Sequence, residues 1–185
     1  MCGRVIQSSG PLSLRLAIVE GLNVSDSRMG NVPPRYNAAP SQELLVIRRN
    51  HKTGELSLDL IKWGLIPHWC NDPRGGRIPI NAKAESISRL PTFRDAYALR
   101  RCIVPVDGFF EWRAIRGAGV KQPYAIAMKD GSPFASLAYG RTVRTRTQEG
   151  GREPSPSSRC PRTSWCHRSI TACHRSLNPA AMIAG

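Results

Sequence analysis

Long apolar runs are missing from this 185-residue chain. None approaches the roughly 18–20 residues that cross a bilayer, and the N-terminus does not read as a secretory leader, so no membrane span is expected. Acidic side chains are scarce: 13 Asp+Glu stand against 27 Lys+Arg, for a net charge of +14. That surplus is the electrostatic footprint of a nucleic-acid binder, and the alternative for any basic chain is solvated surface charge. The six cysteines (Cys2, Cys70, Cys102, Cys160, Cys166 and Cys173) include no Cys-x-x-Cys pair. In a chain of this length without a leader, a disulfide framework is not expected, and a reducing cytoplasm is the default compartment.

What is present begins at the front, with Met1, Cys2 and Gly3. Initiator Met is normally trimmed before a residue as small as Cys, which would leave a terminal cysteine. Its α-amine and thiol, with reference pKa values of about 7.7–8.0 and about 8.5, both keep a nucleophilic fraction near neutrality. A 1,2-aminothiol can attack an amide, or capture an aldehyde as a Schiff base that closes to a thiazolidine. The bland alternative is a small residue near a terminus.

One domain fits the length, and the chain divides into two unlike parts near Ala135. In the first, Leu12, Leu16 and Val19 have helical spacing and Gly21 is placed to stop the helix. Leu44–Arg48 is an apolar run of strand formers, and the stretch from Leu56 alternates at period two across a turn from it. Cys102–Val106 reads as a buried strand. Tyr124 to Phe134, broken at Asp130-Gly131, reads as a hairpin. Residues 82–99 have helical character interrupted at Pro91. The expected class is α+β, mainly antiparallel strands with inserted helices.

The second part, Leu137–Gly185, holds eight Arg, two Glu and neither Lys nor Asp, with no apolar period. It reads as a disordered basic tail or as the product of a shifted reading frame.

Four islands of the first part carry a family resemblance: Met1-Cys-Gly-Arg4, Arg35-Tyr-Asn-Ala-Ala-Pro40, Pro79-Ile-Asn-Ala-Lys-Ala-Glu85 and Gly108-Phe-Phe-Glu-Trp112. In order and spacing they resemble the SRAP (SOS response-associated peptidase) family of abasic-site processing proteins, over residues 1 to about 136. Trp63-Gly64, Pro67 and Trp69 fit it too. The resemblance implies binding of single-stranded DNA at an abasic site, whose ring-opened sugar exposes an aldehyde. It implies capture of that aldehyde by Cys2, as a thiazolidine crosslink, once Met1 is removed. Asn81 carries over as the residue that holds the sugar and the terminal cysteine in register, and Glu111 as the acid/base that protonates the sugar oxygen. Arg4, Arg35 and Lys83 are the expected phosphate contacts; Lys83 stands where an arginine is expected, keeping charge but losing the bidentate fork. Trp69 is expected to stack beside the lesion or, equally, to be a core residue. The resemblance further implies peptidase (hydrolase) and lyase chemistry without a cofactor or metal, in a monomer near the bacterial nucleoid.

The family's Ile-His-x-Arg-Met-Pro stretch is absent. Read two bases out of frame, codons for Arg168–His174 permit it, and those for Asn178–Gly185 and Leu137–Thr142 permit further family-like stretches. The expectation is a domain over residues 1–136 and a frame-shifted, disordered Arg-rich tail over 137–185. Neither His167 nor His174 then inherits the family histidine's role, and the Cys-His pairs beside them do not suggest zinc. Two other functions compete. A class II glutamine amidotransferase also begins Met-Cys-Gly but needs an Asn-Gly segment, which this chain lacks. A non-catalytic basic module binding single-stranded DNA would not need Cys2.

Overall fold

In the computed structural model the described residues are 3–10, 24–25, 32–50, 53–67, 69–70, 78–144 and 159–167, of which 24–25, 141–144 and 159–167 are described in backbone only. The apolar run Glu43–Arg49 forms β4, and Leu56–Trp63 forms β5, antiparallel to it through a turn in which Asn50 N–H donates to Glu55 C=O at 2.8 Å. Strand β7 (Arg101–Val106) lies on the other side of β4. Leu44, Val46, Ile61, Trp63, Cys102 and Val104 face one core, while Leu45, Ile47, Leu58 and Ile103, on the opposite face, are buried as well. Strands covered on both faces read as continuous apolar runs, which is the pattern of Leu44–Ile47.

These three strands belong to a seven-stranded sheet that also holds β2 (Val24–Ser25), β6 (Asn81–Lys83), β10 (Phe134–Arg144) and β11 (Arg159–His167), in the order β2-β5-β4-β7-β10-β11-β6. A further parallel pairing of β11 with β5 closes five of them into a ring. A second sheet, with the order β3-β1-β8-β9, is wholly antiparallel and consists of β3 (Arg35–Ala38), β1 (Val5–Gln7), β8 (Gly108–Ala114) and β9 (Lys121–Ala127). The chain passes from one sheet to the other at Asp107, between β7 and β8. There the Asp107 carboxylate accepts from the N–H groups of Ser8 and Ser9 at 2.6 and 2.8 Å and from both hydroxyls. Val5, Ala38 and Phe109 of the second sheet pack into the core with Trp63 and Phe134.

Three expectations need correction. The fold is mostly antiparallel β, not α+β with inserted helices: the one helix among the described residues is α1 (Arg94–Leu99). In the 82–99 segment, Asn81–Lys83 is strand, residues 84–89 and 91–93 are turns and only Arg94–Leu99 is helix, because Ala82, Ile87 and Phe93 are buried against Leu65 and Tyr139 without needing a helix. The turn at Asp130-Gly131 exists, with Gly131 at φ 73° and its N–H donating to Met128 C=O, but it makes no hairpin. Its flanks pair elsewhere, β9 with β8 and β10 with β7. The helix expected over residues 11–21 lies outside the described residues.

The boundary expected near Ala135–Leu137 falls within β10, which pairs with β7 through Tyr139 and with β11 through Arg144. Residues 137–144 and 159–167, inside the expected tail, are therefore strand. Main-chain pairing is indifferent to side-chain period, so an open ladder edge can extend without an apolar signal in the sequence.

Burial in β7 pushes the Cys102 thiol up from 9.0 to about 12, an effect partly offset by the Arg48 guanidinium. The folded thiol stays neutral while the unfolded one ionises. The stability this confers is full below pH 9 and is lost as pH rises from 9 towards 12. Replacing Cys102 by Val should remove that part of the alkaline loss, measured as the difference between parent and variant melts. A thiol reagent at pH 8 should modify half-buried Cys70 in the folded protein and Cys102 only on unfolding, as read by peptide mass mapping.

Candidate functional site

Arg4 immediately precedes β1. Its C=O accepts from Phe110 N–H at 3.0 Å, and its Nη1 donates to Asn37 Oδ1 of β3 at 2.9 Å. Strand pairing thus brings the first, second and fourth motif islands onto adjacent strands. Arg35, opposite Gln7 on β3, is half-buried, and its Nε is buried with no hydrogen-bond partner among the described residues. A guanidinium nitrogen in that state has donor capacity that an anion can use. Tyr36 beside it is 67% exposed.

Glu111 stands on β8, half-buried, opposite Tyr124 of β9. Its neighbours Phe110 and Trp112 project together from the other face, with ring centroids 6.5 Å apart. The alternation of β8 thus gives the carboxylate one face and the aromatic pair the other.

The third island lies on the other sheet. Trp63 Nε1 donates to Ile80 C=O at 3.0 Å, and Leu65 N–H donates to Pro79 C=O at 3.0 Å, so the end of β5 carries the segment that enters β6. Gly64 makes that approach feasible: its φ is 128°, and a Cβ there would sit 2.7 Å from Ile78 Cγ2. Asn81 opens β6 half-buried, Ala82 is buried beneath it, and Lys83 is exposed at its end. Trp69 is 60% exposed within a turn in which Cys70 N–H donates to Pro67 C=O at 3.0 Å, which excludes the core reading for it.

Arg35 and Glu111 therefore lie on β3 and β8 of the four-stranded sheet and Arg4 immediately before β1 between them, while Asn81 and Lys83 lie on the last strand of the seven-stranded one. Cys2 lies outside the described residues. Sequence reasoning passed over Asn37, although it stands in the second island. The signal was available in strand pairing, which set Asn37 on the strand beside Arg4. Among the described residues, no group of three or more His, Cys, Asp or Glu could hold a metal ion, and no helix is long and apolar enough to cross a membrane.

The chain resembles several proteins of known name. It is 38% identical to the abasic site processing protein YoqW of Bacillus subtilis over 134 residues, covering 72% of this chain and 58% of YoqW. It is 30% identical to the abasic site processing protein YedK of Escherichia coli over 149 residues, covering 80% of this chain and 64% of YedK. The chain thus spans less than two thirds of either relative. A crystal structure of a phage-related protein from Bordetella bronchiseptica has a similar fold, with a TM-score of 0.63 and 25% identity over 89% of this chain and 68% of that one. The sequence pattern of one family, SOS response associated peptidase (SRAP), matches residues 1–155, which include all four motif islands. On that match, and on the strand pairing that brings three of those islands together, the chain belongs to the SRAP family.

Proposed function

We propose that this protein processes abasic sites: it binds single-stranded DNA carrying one and captures the ring-opened sugar through Cys2. The observation that carries this reading is the pairing of Arg4 with Phe110 and Asn37. It runs the chain just after Cys2 alongside the strand of Glu111.

The chemistry follows from the groups present. A closed abasic sugar opens when its ring oxygen gains a proton, and Glu111 is the group assigned to give it. Opening exposes an aldehyde. The Cys2 amine adds to that carbon, water leaves, and an imine forms. The Cys2 thiol then adds to the imine carbon, its proton passes to nitrogen, and a thiazolidine closes. The sum is aldehyde plus aminothiol giving thiazolidine and water, and it needs neither a cofactor nor a metal. The amine must be free, so removal of Met1, the peptidase step implied by the family, comes first. Asn81 holds the sugar against the terminal cysteine. Arg4, Arg35 and Lys83 bind phosphates, and the buried Nε of Arg35 supports its share of that role. Exposed Trp69 stacks on a base beside the lesion. Release by the reverse steps takes up one water and returns the aldehyde and the free Cys2; the lyase activity is a separate elimination from the imine, in which the carbon beside it loses a proton and the 3′ phosphate leaves. Such a protein works as a monomer in the cytoplasm, close to the nucleoid.

We also propose that the frame shifts between Ala135 and Leu137, so that residues 137–185 are an Arg-rich tail lacking the family histidine.

Incubation with abasic single strands should give a heat-stable adduct that mass spectrometry places on the terminal residue. Cys2→Ala should abolish it, leaving at most a labile Schiff base. Full crosslinking by that variant, or by protein retaining Met1, would sink the thiazolidine mechanism.

Glu111→Gln should slow adduct formation about 10²–10⁴-fold with affinity for intact single strands nearly unchanged. Arg35→Ala and Lys83→Ala should weaken binding and flatten its salt dependence by roughly 0.7 in log–log slope per lost contact. Equal losses of binding in all three would overturn this division of roles.

Resequencing the gene around the codon for Ala135 tests the shift itself. A frame-restored protein should crosslink about 10²–10⁴-fold faster than the chain as written, because one general acid–base group returns with the missing motif. Equal rates would refute it.

A further inference from the structure

Pro105 sits in β7, which is flanked on both sides, by β4 and β10. Proline has no amide hydrogen and is normally confined to sheet edges, strand starts and bulges. The β4–β7 ladder pairs Ile47 with Ile103 and Arg48 with Cys102. Continued in the same register, it sets Leu45 against Pro105. A regular antiparallel rung there would have Leu45 N–H donating to the C=O of residue 105, and the N–H of residue 105 donating to Leu45 C=O. The second of these bonds cannot form.

Gln7 supplies the rung instead. Its Nε2 donates to Leu45 C=O at 3.1 Å and to Pro105 C=O at 2.7 Å, and its Oε1 accepts from Leu45 N–H at 2.8 Å. It is 4% exposed, the one buried polar residue among those described. The amide of a residue in the four-stranded sheet thus stands between two strands of the other. Three residues upstream, Arg4 C=O receives Phe110 N–H, and Cys2 lies two residues beyond Arg4.

We propose that Gln7 is a positioning residue for the N-terminal nucleophile, its side-chain amide replacing the rung that Pro105 cannot make and so fixing β1 between the two sheets. The part concerning the nucleophile rests on the function proposed above. A strand of three residues is short for backbone pairing alone to hold in place. Crosslinking needs the nucleophile within a fraction of an ångström of its productive position, and small misplacements cost large factors in rate.

The test uses the full chain with two variants. Gln7→Met keeps the volume and removes the amide; Gln7→Met with Pro105→Ala also restores the missing N–H. The single variant should lower Tm by roughly 5–10 °C, because buried groups of Leu45 and Pro105 lose their partners. The double variant should regain at least half of that loss through a direct rung between residues 45 and 105. The anchorage of β1 should not return with it. Exchange of the Phe110 and Asp107 amides, which donate to Arg4 and Ile6 C=O, should stay at least about tenfold faster than in the parent. Crosslinking to abasic single strands, compared in the same reading frame, should stay slow by a similar factor.

A double variant no more stable than the single one overturns the rung replacement. Recovery of amide protection and crosslinking together with stability overturns the positioning role. If the parent itself forms no adduct through Cys2 in either frame, the proposed function fails, and amide exchange alone decides whether Gln7 anchors β1.

Discussion

A proline inside a sheet leaves a carbonyl without its donor, and the way that deficit is met at Pro105 governs how the two sheets of this protein meet. A buried amide group left unpaired costs about 1–3 kcal/mol. Here the deficit is met by a side chain from the other sheet, so the sheets are locked by three hydrogen bonds as well as by apolar contact. Hydrophobic packing is non-directional and tolerates sliding. Hydrogen bonds do not. The amide of Gln7 selects one lateral setting of β1 over β4 and β7, and Val5, fully buried two residues away, packs in that setting.

The same setting extends to the β7–β8 corner. Asp107 continues the strand that contains Pro105, and its carboxylate takes the N–H and hydroxyl groups of Ser8 and Ser9, which continue the strand that contains Gln7. Two short segments are thus tied twice, once through a buried neutral amide and once through a half-buried carboxylate. Charge-assisted bonds at the solvent side and neutral ones in the core follow the usual cost of burying charge. Arg4 and Glu111 lie just past these ties, at the open end of β1 and in the middle of β8. Backbone registry therefore sets where along their strands these two residues fall.

Much of the frame was legible in the sequence. The β4–β5 pair and β7 follow from apolar runs and turn residues, whereas β8, which bears Glu111, was not read as a strand; the motif islands supplied every candidate site residue except Trp69. What was misread has identifiable causes. Asp130-Gly131 specifies a turn, but turn chemistry is local and does not say which sheet the outgoing strand joins. Residues 82–99 carry spaced apolar positions of which tertiary packing buries Ile87 and Phe93 through turns, leaving helix only at Arg94–Leu99. Gln7 was invisible because a polar residue in a three-residue strand looks like surface, and its role exists only in three dimensions. Pro105 was the readable clue: a proline in an otherwise buried apolar strand announces a broken rung and a group that must repair it.

Strand β10 separates what a ladder requires from what a site requires. Its pairing with β7 runs through Leu137 to Tyr139 with no interruption at the proposed frame boundary, and its pairing with β11 carries on to Arg144. Every residue but proline brings the same N–H and C=O to such a ladder, so a segment with no apolar period can go on extending an edge that the preceding strands have begun. Side-chain chemistry has no such tolerance. The family histidine is absent under the proposed shift, and backbone pairing cannot replace a proton donor. Under the proposed shift, the fold would degrade gradually beyond Ser136 while the chemistry fails at once. The seven-stranded sheet and the catalytic set can therefore report opposite answers about the same chain.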